Sequence, residues 1–490
     1  MGTQDRLGQL RAALYMAPGG ATWRRACDLL DRWPADADQE VGIDYVDAHL
    51  KGWDDSLRVA PLRWLLALEH GHPAPQIRVA RAIALTSSDP RGREILERVS
   101  SAAPLAPINT LSTREIKIGD RSLARIVGGP LWHGLRRLTL QSAGLEPDGA
   151  ATVARSGGLE ALEALSLAGN AIEDKGLKAL VDALQSPRLS SLDLTGCGLG
   201  AEAAEVASAP WAPGLRRLEL GRNGLTEGAA AALGASTSLG ALAELSLSAN
   251  PLEDQGVASL SRGALGGLEG LDLSLCRVAD PGALALARGF ERLRALRLAN
   301  NPIGPQGVEA LVEAPLAASL EVLDLSLAAL GAQGARAIGR AGLAALRVLS
   351  LGGCLIGDEG ARALVDADGL ASVRHLDLSA NGIDLDGLGA LIDSPLFEGL
   401  EHLDLGFNDF NAAHVELLLR SPHLSSLRVL RLMGRGLGDD ALKKLAACPA
   451  LSNLLELHLD PERANAEGLQ ALIRSPHLHP RVRAALSCAP

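Results

Sequence analysis

The chain has 490 residues and a net charge of −11; 47% of it is hydrophobic but only 2% aromatic. The acidic balance disfavours nucleic-acid binding, which needs a basic face for phosphate contact. Small aliphatic side chains therefore do the packing, as in a thin layered core, and the length leaves room for more than one domain.

The N-terminus, Met1-Gly2-Thr3-Gln4-Asp5-Arg6, has no apolar leader, and Arg6 stands where a myristoylation signal needs Ser or Thr. No apolar run approaches the roughly 18 residues of a membrane span. Residues 1–105 lack any repeat and hold four of the six tryptophans, Trp23, Trp33, Trp53 and Trp64. Helical spacing of Leu7, Leu10 and Leu14, then Trp23, Cys27 and Leu30, then Val41, Tyr45, Val46 and Leu50, then Leu62, Leu65 and Leu66, predicts four helices separated by Pro and Gly. Ile77, Ala80 and Ile83 predict a fifth, and Ile95, Leu96 and Val99 a sixth. Two readings of this all-helical domain stand: a cap on the first face of whatever follows, and a partner site built on its tryptophans.

From residue 106 to 490 one pattern recurs. Residues 106–134 read as a degenerate first copy, with Ile116 and Ile118 in the strand places. In Leu162–Arg188, Leu165, Ser166 and Leu167 alternate as a short strand, Asn170 sits at the strand exit, Glu173 and Asp174 precede an apolar run, and Ile172, Leu177, Leu180 and Val181 follow at helical spacing. The first apolar position returns thirteen times between Leu135 and Leu454, every 25 to 27 residues. One such unit cannot bury its own apolar face, so the copies must stack into a solenoid. Cys197, Cys276 and Cys354 replace the Asn; they lie too far apart along the stack for disulfides, which fits a reducing, cytoplasmic setting. The chain ends around Val482–Cys488, where the next strand is due, leaving an edge that is either closed by a short element or open to self-association.

The strings Leu-Asp-Leu-Ser-Ala-Asn (Leu376–Asn381) and Leu-Asp-Leu-Gly-Phe-Asn (Leu403–Asn408), with a helix in every copy, resemble the leucine-rich repeat and, within it, the ribonuclease-inhibitor-like branch. The resemblance implies an α/β horseshoe with parallel strands on the concave face and helices on the convex one. That branch also includes an activator of the nuclear-transport GTPase. Arg222, Arg277 and Arg435 are the residues that this likeness puts forward for such a role. Arginine-rich usage and a single repeat class point to a bacterial source.

No phosphate loop, His-Glu-x-x-His or Gly-x-Ser-x-Gly motif is present, and His477 and His479 lack further ligands, so no catalytic residue, metal or cofactor is expected. The expected function is non-enzymatic binding of a protein partner, a basic one by charge, on the concave face. The alternative is an activator of an enzyme such as a small GTPase. The residue between the two strand leucines points out of that face and gives Asp193, Glu219, Asp272, Arg297, Asp324, Asp377, Asp404, Arg431 and His458. The aspartates read equally as partner contacts and as repeat consensus. His375, His402 and Met433 share the same stretch of face, and Leu275, Leu327 and Phe407 are apolar at one turn position. Phe407 either projects as an anchor or folds back into the turn.

Overall fold

A strand of a few residues, a turn and a helix recur because the leucines on one side of each strand and one stripe of each helix can be buried only against the neighbouring copies. The computed structural model describes residues 3–34, 37–89, 91–102, 105, 107–365, 368–434, 437–460 and 466–487. It divides into two compact units, Met1–Gly224 and Leu225–Pro490. No helix is long and apolar enough to cross a membrane among the described residues.

The first unit opens with α1 (Thr3–Leu14), α2 (Gly20–Asp31), α3 (Ala37–His49) and α4 (Leu62–Glu69). Trp23, Trp33 and Trp64 are buried among them, with the rings of Trp23 and Trp64 edge to face at 6.4 Å. Three of the four N-terminal tryptophan rings are thus core. The fifth expected helix is instead a short 3-10 helix, Pro75–Val79, followed by strand β1, Ala82–Thr86. The strand residues Ile83 and Leu85 face the core in alternation, a period that the adjacent apolar residues of the 3-10 helix disguise. Val59 bridges β1 on its outer side, with the Ala60 N–H donating to the Ala82 carbonyl at 2.8 Å, so the edge strand is covered. Arg58, buried beneath this bridge, pairs with Asp47 at 2.5 Å. Burial alone would raise the Asp47 carboxyl, but Arg58 and Arg81 outweigh it and hold the group below its usual range.

Strands β2 (Thr110–Arg114), β3 (Arg137–Gln141), β4 (Ala164–Ser166), β5 (Ser191–Asp193) and β6 (Arg217–Glu219) follow in order, each parallel to the one before. Leu111 and Thr113 occupy the core places of β2; Ile116 and Ile118 lie beyond the strand, so the expected register of the degenerate first copy is corrected. A buried Thr in a leucine place is what hid it.

The second unit holds β7 (Glu244–Ser246), β8 (Gly270–Asp272), β9 (Ala295–Arg297), β10 (Val322–Asp324), β11 (Val348–Ser350), β12 (His375–Asp377), β13 (His402–Asp404), β14 (Val429–Arg431) and β15 (Glu456–His458), again parallel and in chain order. The last described element, at the place of the next strand, is a short helix, Pro480–Ser487. Pro480 suits a first helical turn, and the helix packs beside β15, with Arg481 3.5 Å from Glu456.

Side chains tie each copy to the next at two levels. On the helix side, an aspartate at one helix start caps the following helix. Asp254 Oδ1 accepts the N–H groups of Ala279 and Gly282 at 2.8 and 3.0 Å, Asp280 accepts Gly304 at 2.6 Å, and Asp358 accepts Asp384 at 2.7 Å. Glycine recurs beside these carboxylates because a Cβ on Gly387 would lie 2.4 Å from Asp358 Oδ1. At the strand exits the Asn side chains form a ladder. Asn381 Nδ2 donates to the Leu351 carbonyl of the preceding copy at 2.7 Å, and its Oδ1 accepts from Cys354 and Ile356 at 2.9 and 3.3 Å. A cysteine keeps only the donor half: Cys276 Sγ reaches the Leu247 carbonyl at 3.1 Å and Cys354 Sγ the Leu325 carbonyl at 3.1 Å. Burial pushes the thiols of Cys197 and Cys276 up to about 12 and that of Cys354 to about 11, and the five described cysteines are free.

The residue after each ladder position follows from that difference. Where the next copy supplies an Asn, two N–H groups must converge on one oxygen. The residue between them then turns left-handed: Gly144, Gly198, Arg277, Leu355 and Gly382 have φ of 59 to 72°. In three copies of the second unit whose next copy supplies Cys or Ala, the second N–H folds back on its own ladder carbonyl. Leu252 donates to Asn250, Ile303 to Asn301 and Leu330 to Ala328, at 2.8 to 2.9 Å. This three-residue turn suits the fixed φ of proline, and Pro251 and Pro302 sit at its centre. Asn381→Ala should cost about 2–4 kcal/mol in urea denaturation, because it orphans buried N–H and C=O groups, and Cys354→Ala about 1 kcal/mol or less. Equal costs would contradict the acceptor role given to the Asn oxygen.

Candidate functional site

Alternation along each strand sends the residue between the core leucines to the open face of the sheet. In the first unit that residue is Asp193 on β5 and Glu219 on β6, adjacent in register. In the second unit Asp272, Arg297, Asp324, Ser350, Asp377, Asp404, Arg431 and His458 stand side by side across β8 to β15. The expected partner residues thus fall on two units, and all but Asp193 and Glu219 belong to the second.

The aspartates have a local task. One oxygen accepts the N–H two residues on: Thr195 and Ser274 at 3.0 Å, Ser326 at 3.0 Å, Ser379 and Gly406 at 2.9 Å. These Asx turns close the strand exits. The second oxygen of Asp193 takes the Ser166 hydroxyl at 2.8 Å and that of Asp272 the Ser246 hydroxyl at 3.3 Å. Asp324 and Asp377 have no second polar partner and no cation among the described residues; Asp404 has Arg431 at 3.6 Å. Glu219 differs, accepting from Arg217 on its own strand.

His375 and His402 stack on β12 and β13, ring centroids 3.9 Å apart and planes 23° apart. With Ser350, Asp377, Asp404 and Arg431 they line a shallow depression. Burial and the neighbouring His375 push the His402 imidazole below its ordinary value, against Glu401 and Glu456, which raise it; Arg431 adds to the lowering. Burial and Asp377 raise the Asp404 carboxyl against the pull of the Gly406 N–H and Arg431. No three His, Cys, Asp or Glu side chains among the described residues are placed to hold a metal ion. His458 lies 3.3 Å from Glu456.

The turns bordering this face carry the apolar groups. Phe407 does not fold back: it is 59% exposed, and Leu275, Leu327 and Met433 are also exposed. Leu275, Leu327 and Phe407 have φ of 58 to 61°, because each N–H reaches across to a carbonyl of the next copy, Ala299, Gly352 and Met433 respectively. Leu355, 72% exposed at φ 59°, belongs with them and was not expected. Its signal was a leucine in a place where Gly198 and Gly382 stand in other copies. Arg222 and Arg277 lie in the turns with positive φ, Arg277 3.6 Å from Glu253, while Arg435 lies outside the described residues.

Six stretches, residues 161–181, 268–287, 293–312, 317–339, 345–365 and 369–391, match the family model described as Leucine Rich repeat. No curated protein matches the chain. Among solved structures, the complex of Rad7 and Elc1 in yeast matches at 18% identity over 82% of this chain and 94% of that chain, with a TM-score of 0.44. An internalin from Listeria monocytogenes matches at 19% identity over 66% of this chain and 87% of that chain, with a TM-score of 0.38.

Unfolded His402 titrates near the ordinary value of about 6.5 and the folded ring lower, so its contribution to stability is complete above that value and is lost as the pH falls through and below it. His402→Asn should flatten the fall in denaturation midpoint between about pH 7.5 and 5. A slope identical to wild type would show that the stacked pair is not strained by protonation.

Proposed function

We propose that this chain, a leucine-rich repeat protein, is a non-enzymatic interaction protein that binds a protein partner on the open face of its second unit. The observation that carries the reading is the coincidence, on β10 to β13, of half-buried carboxylates with exposed apolar side chains in the adjoining turns. Asp324 and Asp377 keep an oxygen outward, so a basic partner is favoured by charge. Large apolar groups in water at the border of a polar face are what an interface centre supplies. Asp193 and Glu219, in the first unit, belong to the proposal only as further contacts, since their carboxylates already hold Ser166 and Arg217.

Affinity capture from native lysate tests the reading. The triple variant Asp324→Asn, Asp377→Asn, Asp404→Asn keeps an oxygen for each Asx turn and removes the charge. A protein held by wild type is expected to be lost by this variant at equal helical content by circular dichroism. A partner retained by both would move the site off this face.

A further inference from the structure

Seven large apolar side chains of the second unit are exposed among the described residues; five of them, Leu275, Leu327, Leu355, Phe407 and Met433, lie in the turns at one end of the strands. They form a rim rather than scattered surface positions. A Cβ on Gly353 would lie 2.7 Å from Leu327 Cδ2, so Leu327 lies across Gly353 toward the turn that carries Leu355. Four of the five stand at positive φ, a conformation that disfavours large side chains; places equivalent to Leu275, Leu327 and Phe407 hold Gly169, Gly196, Ala249 and Ala380 as well as the charged Glu115 and Arg222, so the apolar character is what sets these residues apart. Stability would be served by glycine or asparagine at the four positions of positive φ.

We propose that this rim is the anchor of the interface, occupied by a basic protein segment that seats apolar side chains on Leu327, Leu355 and Phe407 and directs Lys or Arg toward Asp324, Asp377 and Asp404. The inference rests on the interaction reading above and names its partner. Charge selects the occupant. A second copy would bring the same carboxylates together on a chain of net charge −11, and an anionic membrane surface would meet the same repulsion. Arg297 and Arg431 bracket the run, which confines the partner's cations to the strands between them. The aspartates, each engaged in its own turn, set orientation and salt dependence, while the rim supplies affinity.

The test uses a labelled synthetic 20-residue peptide of Leu and Lys, a second with Glu for Lys, and the full chain with Leu327→Gly, Leu355→Gly and Phe407→Gly together. By fluorescence anisotropy the Leu/Lys peptide should bind wild type and weaken about 10-fold or more against the variant. The variant's denaturation midpoint should equal or exceed that of wild type, which a merely structural role for these side chains would not allow. Equal binding to wild type and variant, equal binding of the Glu peptide, or a wild-type dimer in sedimentation that the variant abolishes would each overturn the proposal. If the glycine variant keeps the lysate partner that the aspartate variant loses, the rim inference falls and the face reading stands.

Discussion

The Asn carboxamide at the strand exit is the contact on which the rest depends. It donates backward to a carbonyl of the preceding copy and accepts two N–H groups from that copy's turn, all out of water. A buried backbone group without a partner costs about 1–3 kcal/mol, so the turn must adopt whatever shape reaches the oxygen offered. The conformation of one copy is thereby written in the sequence of the next. Asn-Pro precedes Cys276 and Ala328, whereas Gly follows the ladder residue ahead of Asn170, Asn223 and Asn408. The alternation of Asn with Cys and Ala is a change of hydrogen-bonding rule, and not loose consensus.

That constraint also sets what the face displays. Reaching the next copy's carbonyl forces a left-handed residue just ahead of each ladder position, and an Asn in the next copy forces another just after it. Most of these places hold Gly, Ala, Ser or Asn. Leu275, Leu327, Leu355 and Phe407 do not, nor do Glu115, Arg222, Arg277 and Asp409, and each costs on the order of 1 kcal/mol or more in backbone strain; the four apolar ones alone also expose a large hydrophobic group. The same geometry points them into solvent beside the aspartates. Strain, exposure and charge thus meet in one stretch of the second unit, which is why the interface is proposed there.

Much of this was legible in the sequence, because a leucine period of 25 to 27 residues survives any single substitution. The strand at Ala82–Thr86 was not, since Ile77, Val79 and Ala80 before it supply a false helical spacing. Thr113 in a leucine place shifted the apparent register of β2 onto Ile116 and Ile118. At the end of the chain the sequence leaves strand and helix both open, and the element is the helix Pro480–Ser487, because alternation over so few residues does not separate the two. Asp377 and Asp404 alternate with buried leucines on β12 and β13, a period legible in the sequence, yet the Asx turns of these aspartates need backbone geometry to see. Leu355 was missed because only the turn's φ shows that a leucine there is exposed and costly.

A double-mutant cycle on Leu355 and Asn381 tests the coupling between copies most directly. Leu355→Pro places a fixed φ near −65° where the wild-type turn needs 59°, and should cost about 3 kcal/mol in urea denaturation. Asn381→Cys removes the oxygen that demands this turn, and recreates the pairing of Pro251 with Cys276. In that background the proline should cost less by about 1 kcal/mol or more. The same cost in both backgrounds would contradict the account, since the turn would then be fixed within its own copy.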